Sequence, residues 1–371
     1  MKRIGIITLN GYINYGNRLQ NYALQEVLKS LNFSVDTIRV KNENSKSTKI
    51  NANTILNFKK KMVLRFKNYF INKKYKKNKN KRIENFKNFS NIYISETKYY
   101  FGDKIGFNEE LQKYDYFITG SDQVWNPNYN FSSSIFFLTF TEKHKRIAYA
   151  PSFGVSEIKP EYVKNYKEWI SGIHKLSVRE DDGAKIIREL TGRNAPVLVD
   201  PTLLLTKDKW LSIAKEASNK PKGKYLLTYF LGGIPNKYKN QIKNIVKENK
   251  LEVINLGDIR EKETYMTGPS EFIDYINDCC IFCTDSFHGA VFSILLEKPF
   301  IVFKRIGSAS MYSRIDTLLN KFELNDRKFE NMSWGEDVFD IDFLHIPPIL
   351  TAERKKSMDY LKDALNIKEE K

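Results

Sequence analysis

The sequence predicts an α/β protein built from two Rossmann-like domains that face each other across a cleft, a glycosyltransferase-B-like arrangement. Three observations predict this class. The chain has 371 residues, which is enough for two domains of ordinary size. Short apolar runs alternate with stretches of helical apolar spacing in both halves. With 41% hydrophobic and 13% aromatic residues, each half can also bury a core of its own.

The first half begins with a β-loop-α-β unit. Residues 3–9 and 34–40 have the composition of buried strands, and residues 18–31 between them have helical spacing. A polar, basic and helical insert is expected at about residues 41–100. Further strands of this half are predicted at residues 114–119, 146–150, 176–178 and 196–199. We therefore place an N-terminal domain at residues 1–205, with the insert inside it.

A C-terminal domain is predicted at residues 206–345. Its expected strands are short apolar runs at residues 225–231, 251–256, 279–284 and 299–303. The three cysteines all lie in the third run. They lack the second pair of ligands that a structural zinc site needs, so we interpret them as small apolar residues of a buried strand. The remaining residues, 346–371, contain a predicted helix that is capped by Thr351 and has Glu353 in its first turn.

The net charge of +17 is concentrated in one stretch. Between Phe58 and Arg82 there are twelve Lys or Arg residues and no acidic residue. Apolar residues in this region recur at helical spacing, namely Ile55, Met62, Phe66 and Phe70. Three interpretations stay open: a solvated surface helix, contact with an anionic membrane surface, and contact with nucleic acid, the least favoured of the three.

The expected location is cytoplasmic, at the inner face of the membrane if the basic stretch contacts lipid. The apolar run at the N-terminus is too short for a signal peptide and lacks a cleavage site. No run reaches the roughly 18 apolar residues that span a membrane.

Polar clusters follow several of the predicted strands, where parallel sheets bind their ligands. The first cluster contains Gly16 and Asn17 at the start of a helix, where backbone can approach an anion. An ordinary capped turn explains it equally well. The second cluster suits a hydroxyl-rich substrate such as a sugar, with the tryptophan stacking on the sugar ring. Its residues are Ser121, Asp122, Gln123, Trp125 and Asn126.

Two further strand ends carry Arg179 and His288. The planar guanidinium of Arg179 suits a carboxylate or phosphate, although an ion pair with neighbouring Glu180 or Asp181 is an equal alternative. His288 is one of four histidines and begins a predicted helix, where Ser286 can act as the cap. Imidazole donates and accepts protons near neutral pH, so His288 is a candidate general acid.

A basic set beyond His288 indicates an anionic substrate, although each member alone fits a surface charge. The set comprises Lys304, Arg305, Arg314 and Arg327. We expect Gly16, Asp122, Arg179 and His288 to line one cleft between the domains, because each follows a strand or opens a helix.

Seven motifs in order resemble the polysaccharide pyruvyl transferase family. They are NYGNRLQNYAL, YDYFITGSDQVWNPN, IAYAPSFG, LSVRED, VLVDPTLLL, TDSFHGAVFSILLEKPF and SRIDTLLNKFEL, and the resemblance as a whole extends from residue 3 to about residue 327. The resemblance implies a glycosyltransferase-B-like fold and transfer of pyruvate from phosphoenolpyruvate to paired sugar hydroxyls. The product is a cyclic ketal in a cell-surface polysaccharide or exopolysaccharide. It implies no cofactor and no metal.

The resemblance also assigns roles. His288 matches the important histidine of the family and Arg179 resembles an arginine that binds phosphoenolpyruvate. Members of the family carry an arginine two residues before the histidine, where this chain has Ser286, so Arg314 or Lys304 is expected to replace it. The complete donor set is Arg179, Ser286, Gly289, Lys304 and Arg314, with His288 as general acid and Asp122 as base. The residues expected to bind the saccharide or lipid-linked acceptor are Gly16, Asn17, Ser121, Gln123, Trp125 and Asn126.

Two alternative functions remain open. A glycosyltransferase that uses a nucleotide sugar would share the fold. A non-catalytic protein that binds polysaccharide or another anion is the second alternative, and it predicts a cleft in which Arg179 and His288 do not converge.

Overall fold

Two parallel β-sheets flanked by helices form the computed structural model, which describes residues 1–40, 73–101, 109–129, 133–306, 312–334 and 337–367. The first sheet has the strand order β3-β2-β1-β4-β5 and the second β7-β6-β8-β9. The strands of the first sheet are β1 (Arg3–Ile7), β2 (Ser34–Val40), β3 (Glu96–Phe101), β4 (Tyr116–Thr119) and β5 (Arg146–Ala148). Those of the second are β6 (Tyr225–Tyr229), β7 (Glu252–Asn255), β8 (Ile281–Thr284) and β9 (Phe300–Val302).

Helices connect the strands in the manner of doubly wound sheets. Those of the first half are α1 (Tyr15–Ser30), α2 (Lys76–Tyr93), α3 (Glu109–Gln112), α4 (Pro160–Ser171) and α5 (Asp181–Thr191). The second half contains α6 (Lys207–Leu211), α7 (Asn236–Asn249), α8 (Lys262–Tyr265), α9 (Pro269–Asp278), α10 (Phe287–Leu295) and α11 (Ser313–Lys321), followed by α12 (Ile346–Ala364). In each sheet the order in which successive strands are added reverses beside the first strand, between β1 and β4 and between β6 and β8. In sheets of this kind, ligands usually bind in the crevice at that point. The predicted fold class is confirmed.

The polar insert ends differently from its prediction. Its last residues form the parallel edge strand β3, which pairs with β2. The sequence gives a weak strand signal there, because edge strands keep polar residues and only Thr97 and Phe101 of β3 are buried. Residues 41–72 of the insert, with the apolar spacing noted above, lie outside the described residues. The predicted strands at 176–178 and 196–199 are extended segments that pair through single bridges.

The two halves share an apolar core at the start of α1. The ring of Tyr15 stacks on Phe272 of α9, with ring centroids 4.1 Å apart and planes inclined by 11°. The Tyr15 hydroxyl also donates to the carbonyl oxygen of Thr267 at 3.1 Å. Because Tyr15 directly precedes Gly16, this packing fixes the beginning of α1 against the second half.

Arg82, the last residue of the basic stretch, lies in this interface rather than on the surface. It is 2% exposed. Its Nε and Nη2 donate to the carbonyl oxygen of Ile13, and its Nη1 donates to the Tyr15 hydroxyl at 3.0 Å and to the Tyr265 carbonyl at 2.6 Å. Arg82 therefore joins the insert to both halves, and the interpretation of the whole stretch as solvated or membrane-facing is wrong for this residue.

The C-terminal helix α12 crosses back to the first half. Its Tyr360 hydroxyl donates to the Ala148 carbonyl at 2.8 Å, at the end of β5. The helix begins at Ile346, before the predicted cap at Thr351. Proline is tolerated in the first turn of a helix, so the prolines there do not prevent this earlier start. The Thr351 hydroxyl donates a hydrogen bond to the carbonyl oxygen of Pro347 inside the helix, so the prediction that Thr351 caps the helix is wrong. None of the described helices is both long enough and apolar enough to cross a bilayer.

Candidate active site

Polar side chains from several segments meet where the two halves face each other. They come from the first turns of α1 and α10, from the loop after β4 and from the extended segments that precede α5 and residue 201. All are buried, although most carry charged or polar groups. We call this set the polar cluster; its residues are Gly16, Asn17, Asp122, Arg179, Asp200 and His288.

The two halves approach each other closely at Gly16 in α1 and His288 in α10. A Cβ atom added at Gly16 would lie 2.0 Å from Nδ1 of His288, a separation that cannot be tolerated. Glycine at this position therefore lets the imidazole ring lie directly against the backbone of the first turn of α1. The contact places His288 beside the first turn of α1, which also carries Asn17.

Asp200 lies at the centre of the polar cluster and is completely buried. Its Oδ1 accepts from the backbone nitrogen and hydroxyl of Thr202, and its Oδ2 accepts from Ser121 Oγ at 3.0 Å and Arg179 Nη1 at 2.7 Å. Nε2 of His288 is 3.5 Å from the same oxygen, too long for a good hydrogen bond but a close electrostatic contact. Burial alone would raise the pKa of Asp200, but the charges of His288 and Arg179 lower it below its usual value.

Arg179 links two carboxylates from different segments. It is 3% exposed, and its Nη2 is 3.4 Å from Oδ1 of Asp122 in addition to the contact with Asp200. The alternative of an ion pair with Glu180 is not observed: Oε1 of Glu180 accepts from Ser152 Oγ and from the backbone nitrogens of residues 153 and 154. Arg179 therefore pairs with carboxylates from two other segments of the first half, and its guanidinium also lies 4.4 Å from the ring centroid of Phe287 in the second half.

Asp122 has a left-handed backbone with φ of 61°, a region that few residues other than glycine enter. In this turn the carboxylate of Asp122 faces Asn17 in α1. Oδ2 accepts from Asn17 Nδ2 at 2.7 Å, and Oδ1 accepts from the backbone nitrogen of Gln123 at 2.9 Å. Asn17 and Asp122 are thus held together, as their placement at neighbouring strand ends predicts.

Arg314 in α11 brings a second buried guanidinium to the cluster. It is 4% exposed, and its Nη1 is 3.8 Å from Oδ1 of Asp122. Burial and the nearby Arg179 charge lower the pKa of Arg314 to about 10, so it stays charged at neutral pH. When the Gln123 amide is oriented so that its oxygen faces donors, that oxygen accepts from Nη1 and Nη2 of Arg314 at 3.3 and 3.2 Å.

Several buried N–H groups at the cluster lack hydrogen bonds. Within the described ranges, Nε of Arg179, Nε of Arg314 and Nε2 of His288 have no hydrogen-bond partner. Leaving a buried donor unsatisfied typically costs about 1–3 kcal/mol, and more when the group is charged. Two buried guanidiniums with unsatisfied donors are chemically suited to bind an anion.

The prediction that Trp125 stacks on a sugar is wrong in this structure. Trp125 is completely buried, and its indole stacks on Phe137 with centroids 5.0 Å apart and an angle of 5°. Its Nε1 donates to the carbonyl oxygen of Phe136. The aromatic ring belongs to the core of the first half, which the sequence cannot distinguish from a ligand-facing aromatic residue.

Four other predicted contact residues support the loops from inside. Ser121 is completely buried and donates to Ala150 as well as Asp200. Asn126 accepts from the backbone nitrogen of residue 128. Ser286 caps α10 by accepting from the nitrogen of Gly289, and a Cβ at Gly289 would lie 2.8 Å from Thr284. These contacts give each residue a structural role, and direct ligand contact by any of them stays a prediction.

Lys304 does not join the polar cluster. It is exposed, and within the described part of the chain its ammonium forms no ion pair or hydrogen bond. Its neighbour Arg305 instead points to the end of β8, where Nη2 donates to the Asp285 carbonyl at 3.0 Å and Nε lies 3.4 Å from the Asp285 carboxylate. The cation beside Ser286 is therefore Arg305, while Arg314 is the predicted donor cation that does reach the cluster.

Asp200 is a member of the polar cluster for which no role was predicted from the sequence. This residue directly precedes Pro201 at the end of an apolar segment, at the same sheet edge as Arg179. A carboxylate at that edge beside two cationic candidates was the available signal. Its contacts with Arg179 and His288 could be recognised only once the halves were placed together.

Two parallel Rossmann-like sheets around a shared polar cluster define a glycosyltransferase-B-like protein. The sequence model of the polysaccharide pyruvyl transferase family matches residues 14–305, most of the chain. The chain belongs to the polysaccharide pyruvyl transferase family. Among curated proteins, no sequence matches significantly.

Several solved structures have similar overall architecture at low sequence identity. S. aureus MnaA in complex with UDP matches at 12% identity and a TM-score of 0.49, covering 100% of this chain and 99% of its own. UDP-GlcNAc 2-epimerase from Methanocaldococcus jannaschii, in complex with UDP-GlcNAc and UDP, matches at 11% identity and a TM-score of 0.48, covering 99% and 100%. A glycosyltransferase from Rickettsia africae also matches at 11% identity and 0.48, covering 99% and 100%.

Proposed function

We propose that the protein transfers the pyruvyl group of phosphoenolpyruvate to two hydroxyls of a saccharide, releasing phosphate and forming a cyclic ketal. Family membership supports the class of reaction. The observation that carries the choice of an anionic donor is the pair of buried guanidiniums, Arg179 and Arg314, each with an unsatisfied Nε. An anion beside both would offset their mutual repulsion and accept their free N–H groups.

The donor would lie between the first turns of α1 and α10, with His288 beside its enol carbon. Helix N-termini favour anions, and Arg305 supplies positive charge next to Ser286, where relatives carry an arginine. Asp122, Arg179, His288 and Arg314 are each at least nine-tenths buried, so donor entry requires the surrounding side chains or the two halves to move apart. Such opening between two domains is a common conformational step in catalysis.

The proposed reaction uses His288 as the acid and Asp122 as the base. His288 donates a proton to C3 of the enol, which leaves positive charge at C2. The first sugar hydroxyl adds to C2 and gives its proton to Asp122. Phosphate then leaves with the electrons of its C2–O bond and takes up that proton. The second hydroxyl adds to C2, and its proton restores His288, while the arginines stabilise the departing phosphate.

Asp122 must give up one of its present contacts to act as the base. Its oxygens accept from Asn17, Arg179 and the backbone nitrogen of Gln123. Displacement of the Asn17 amide by a sugar hydroxyl would free Oδ2 for proton transfer. Asn17 and Gln123 then remain beside the acceptor hydroxyls, while Gly16 leaves room for the His288 ring next to them.

Replacing Arg314 tests the donor site. We expect Arg314→Gln to weaken phosphoenolpyruvate binding by at least about tenfold, because the anion loses a charge-assisted partner in a buried setting. Calorimetric titration of the folded variant measures this. Arg314 is preferred to Arg179, whose loss would remove a charged partner from two buried carboxylates at once. Arg188→Gln is the matched control, since Arg188 is an exposed arginine of α5.

The complete reaction is tested with phosphoenolpyruvate and candidate lipid-linked saccharides. Phosphate release together with the mass gain of a pyruvate ketal supports the proposal. Binding of UDP-sugars without binding of phosphoenolpyruvate would reject it in favour of a glycosyltransferase.

We also propose that the basic stretch contacts an anionic membrane surface at the cytoplasmic face, where lipid-linked acceptors reside. Its described part surrounds a concave surface of about 740 Å³ between α2 and α8. The lining contains one acidic residue, Glu84, and six lysines: Lys73, Lys74, Lys76, Lys77, Lys81 and Lys262. Each lysine near an anionic bilayer contributes about 1 kcal/mol, so several together give appreciable, salt-sensitive binding.

Charge reversal on α2 tests this contact. Replacing Lys76 and Lys77 with Glu should weaken binding to phosphatidylserine vesicles by at least about tenfold at low salt, measured by sedimentation. Replacing Lys239 and Lys243 of α7 with Glu makes the same charge change elsewhere on the surface and should have a much smaller effect. Wild-type binding that is insensitive to both salt and anionic lipid would contradict the proposal.

A further inference from the structure

A pocket of about 380 Å³ lies beside the polar cluster, at the carboxyl ends of β1, β2 and β3. Its volume is within the range of small-molecule sites, about 300–1,000 Å³. The loop after β1 forms one wall, and the ends of β2 and β3 form the other, with Ile83 of α2 also in the lining. The proposed donor residues do not line this pocket.

Two tyrosines supply aromatic walls. The hydroxyl of Tyr12 donates to Oε2 of Glu96 at 2.8 Å, which fixes its ring. Tyr100 at the end of β3 is 40% exposed, and the guanidinium of Arg39 lies 4.4 Å from its ring centroid. Fixed aromatic surfaces with amide groups nearby suit a sugar ring, which presents C–H groups on its faces and hydroxyls at its edge.

The charge of the pocket favours an anion. Among the described residues that line it, Arg39 is the one charged side chain, and none is a carboxylate. Arg39 donates through Nη2 to the carbonyl oxygen of Lys98, but its buried Nε has no partner within the described part of the chain. The guanidinium therefore has donor capacity left for a phosphate or carboxylate.

Asn17 connects this pocket to the polar cluster. It lines the pocket and donates to the Asp122 carboxylate at 2.7 Å. A sugar held in the pocket would present hydroxyls to the amide that orients Asp122, the proposed base. The pocket is thus placed to hold the molecule that accepts the pyruvyl group rather than the donor.

We infer that this pocket binds the acceptor saccharide and that Arg39 recognises a negatively charged substituent on it, such as a phosphate. The inference rests on the proposed transfer to a saccharide. It adds that the acceptor is an anionic sugar and that recognition lies on the first half, away from the arginines of the donor site.

Binding measurements on the full chain test the inference without catalysis. The probes are glucose 1-phosphate, methyl glucoside and inorganic phosphate. Binding of each probe is measured by saturation-transfer NMR and calorimetry. Wild type should bind glucose 1-phosphate at least about tenfold more tightly than either other probe, and Arg39→Gln should remove this preference. Arg260→Gln, at an exposed arginine that pairs with Asp258, should leave it unchanged.

Each outcome separates this inference from the proposed reaction. If the folded Arg39→Gln protein keeps the preference while phosphoenolpyruvate still binds wild type, the inference is overturned and the donor proposal stands. If the preference depends on Arg39 but phosphoenolpyruvate does not bind, the pocket is supported and the donor proposal fails. Equal binding of inorganic phosphate and glucose 1-phosphate, or loss of the preference in Arg314→Gln alone, overturns the saccharide pocket.

Discussion

Replacing His288 with Asn is expected to lower turnover by about 100–10,000-fold while changing phosphoenolpyruvate affinity little. Loss of a positioned general acid has an effect of this size. The imidazole lies between the backbone at Gly16 and the Asp200 carboxylate, which gives the protonated ring an anionic partner. Asparagine is smaller than histidine and fits the same space, but it cannot protonate the enol carbon. Single-turnover kinetics and calorimetric titration of the donor measure the two effects separately.

The matched control for this experiment is His174→Asn. His174 is exposed and lies outside the polar cluster, so its loss should not change turnover. If folded His288→Asn retains full turnover, His288 is a structural residue at the start of α10. If donor affinity falls as far as turnover does, the residue binds the anion rather than acting as the acid.

The sequence predicted the central strands of both sheets well because these strands are buried on both sides and therefore mostly apolar. β4 and β8 are completely buried runs of this kind. β3 was missed because an edge strand does not need such a composition. The predicted start of α12 was also wrong. The sequence pattern favours a helix that begins at a Thr351 cap, but the helix begins earlier, with a turn that contains proline.

Sequence position identified the edge at which Gly16, Asp122, Arg179 and His288 would lie, but not how the side chains there pair. The carboxylate that joins Arg179 to His288 is Asp200, which lies in the VLVDPTLLL motif but to which the sequence assigned no role. Trp125 illustrates the opposite error, because a tryptophan among polar residues has the same sequence signature whether it faces a ligand or the core. Which side chains pair, and whether a side chain faces the core or a ligand, depend on tertiary packing, which local sequence patterns do not encode.

Replacing Asp200 with Asn is expected to destabilise the protein by about 3–5 kcal/mol at neutral pH. Removing one partner of a buried ion pair leaves the other charge uncompensated. An amide NH₂ at the position of Oδ2 would face three groups that donate or carry positive charge: Ser121 Oγ, Arg179 Nη1 and His288 Nε2. Urea unfolding followed by circular dichroism measures the free energy. Asp363→Asn is the matched control: Asp363 pairs with Lys175 on the surface and should contribute at most about 1 kcal/mol.

The same carboxylate predicts a pH dependence with a definite sign. Because the folded protein lowers the pKa of Asp200, its ionised form contributes stability above the unfolded pKa of about 3.9, and this contribution is lost as pH falls towards the folded pKa. The difference in unfolding free energy between wild type and Asp200→Asn should therefore be constant from pH 7 to about pH 5 and shrink below about pH 4. A difference under about 1 kcal/mol at pH 7, or one that grows as the solution is acidified, would show that Asp200 does not hold Arg179 and His288 by its charge.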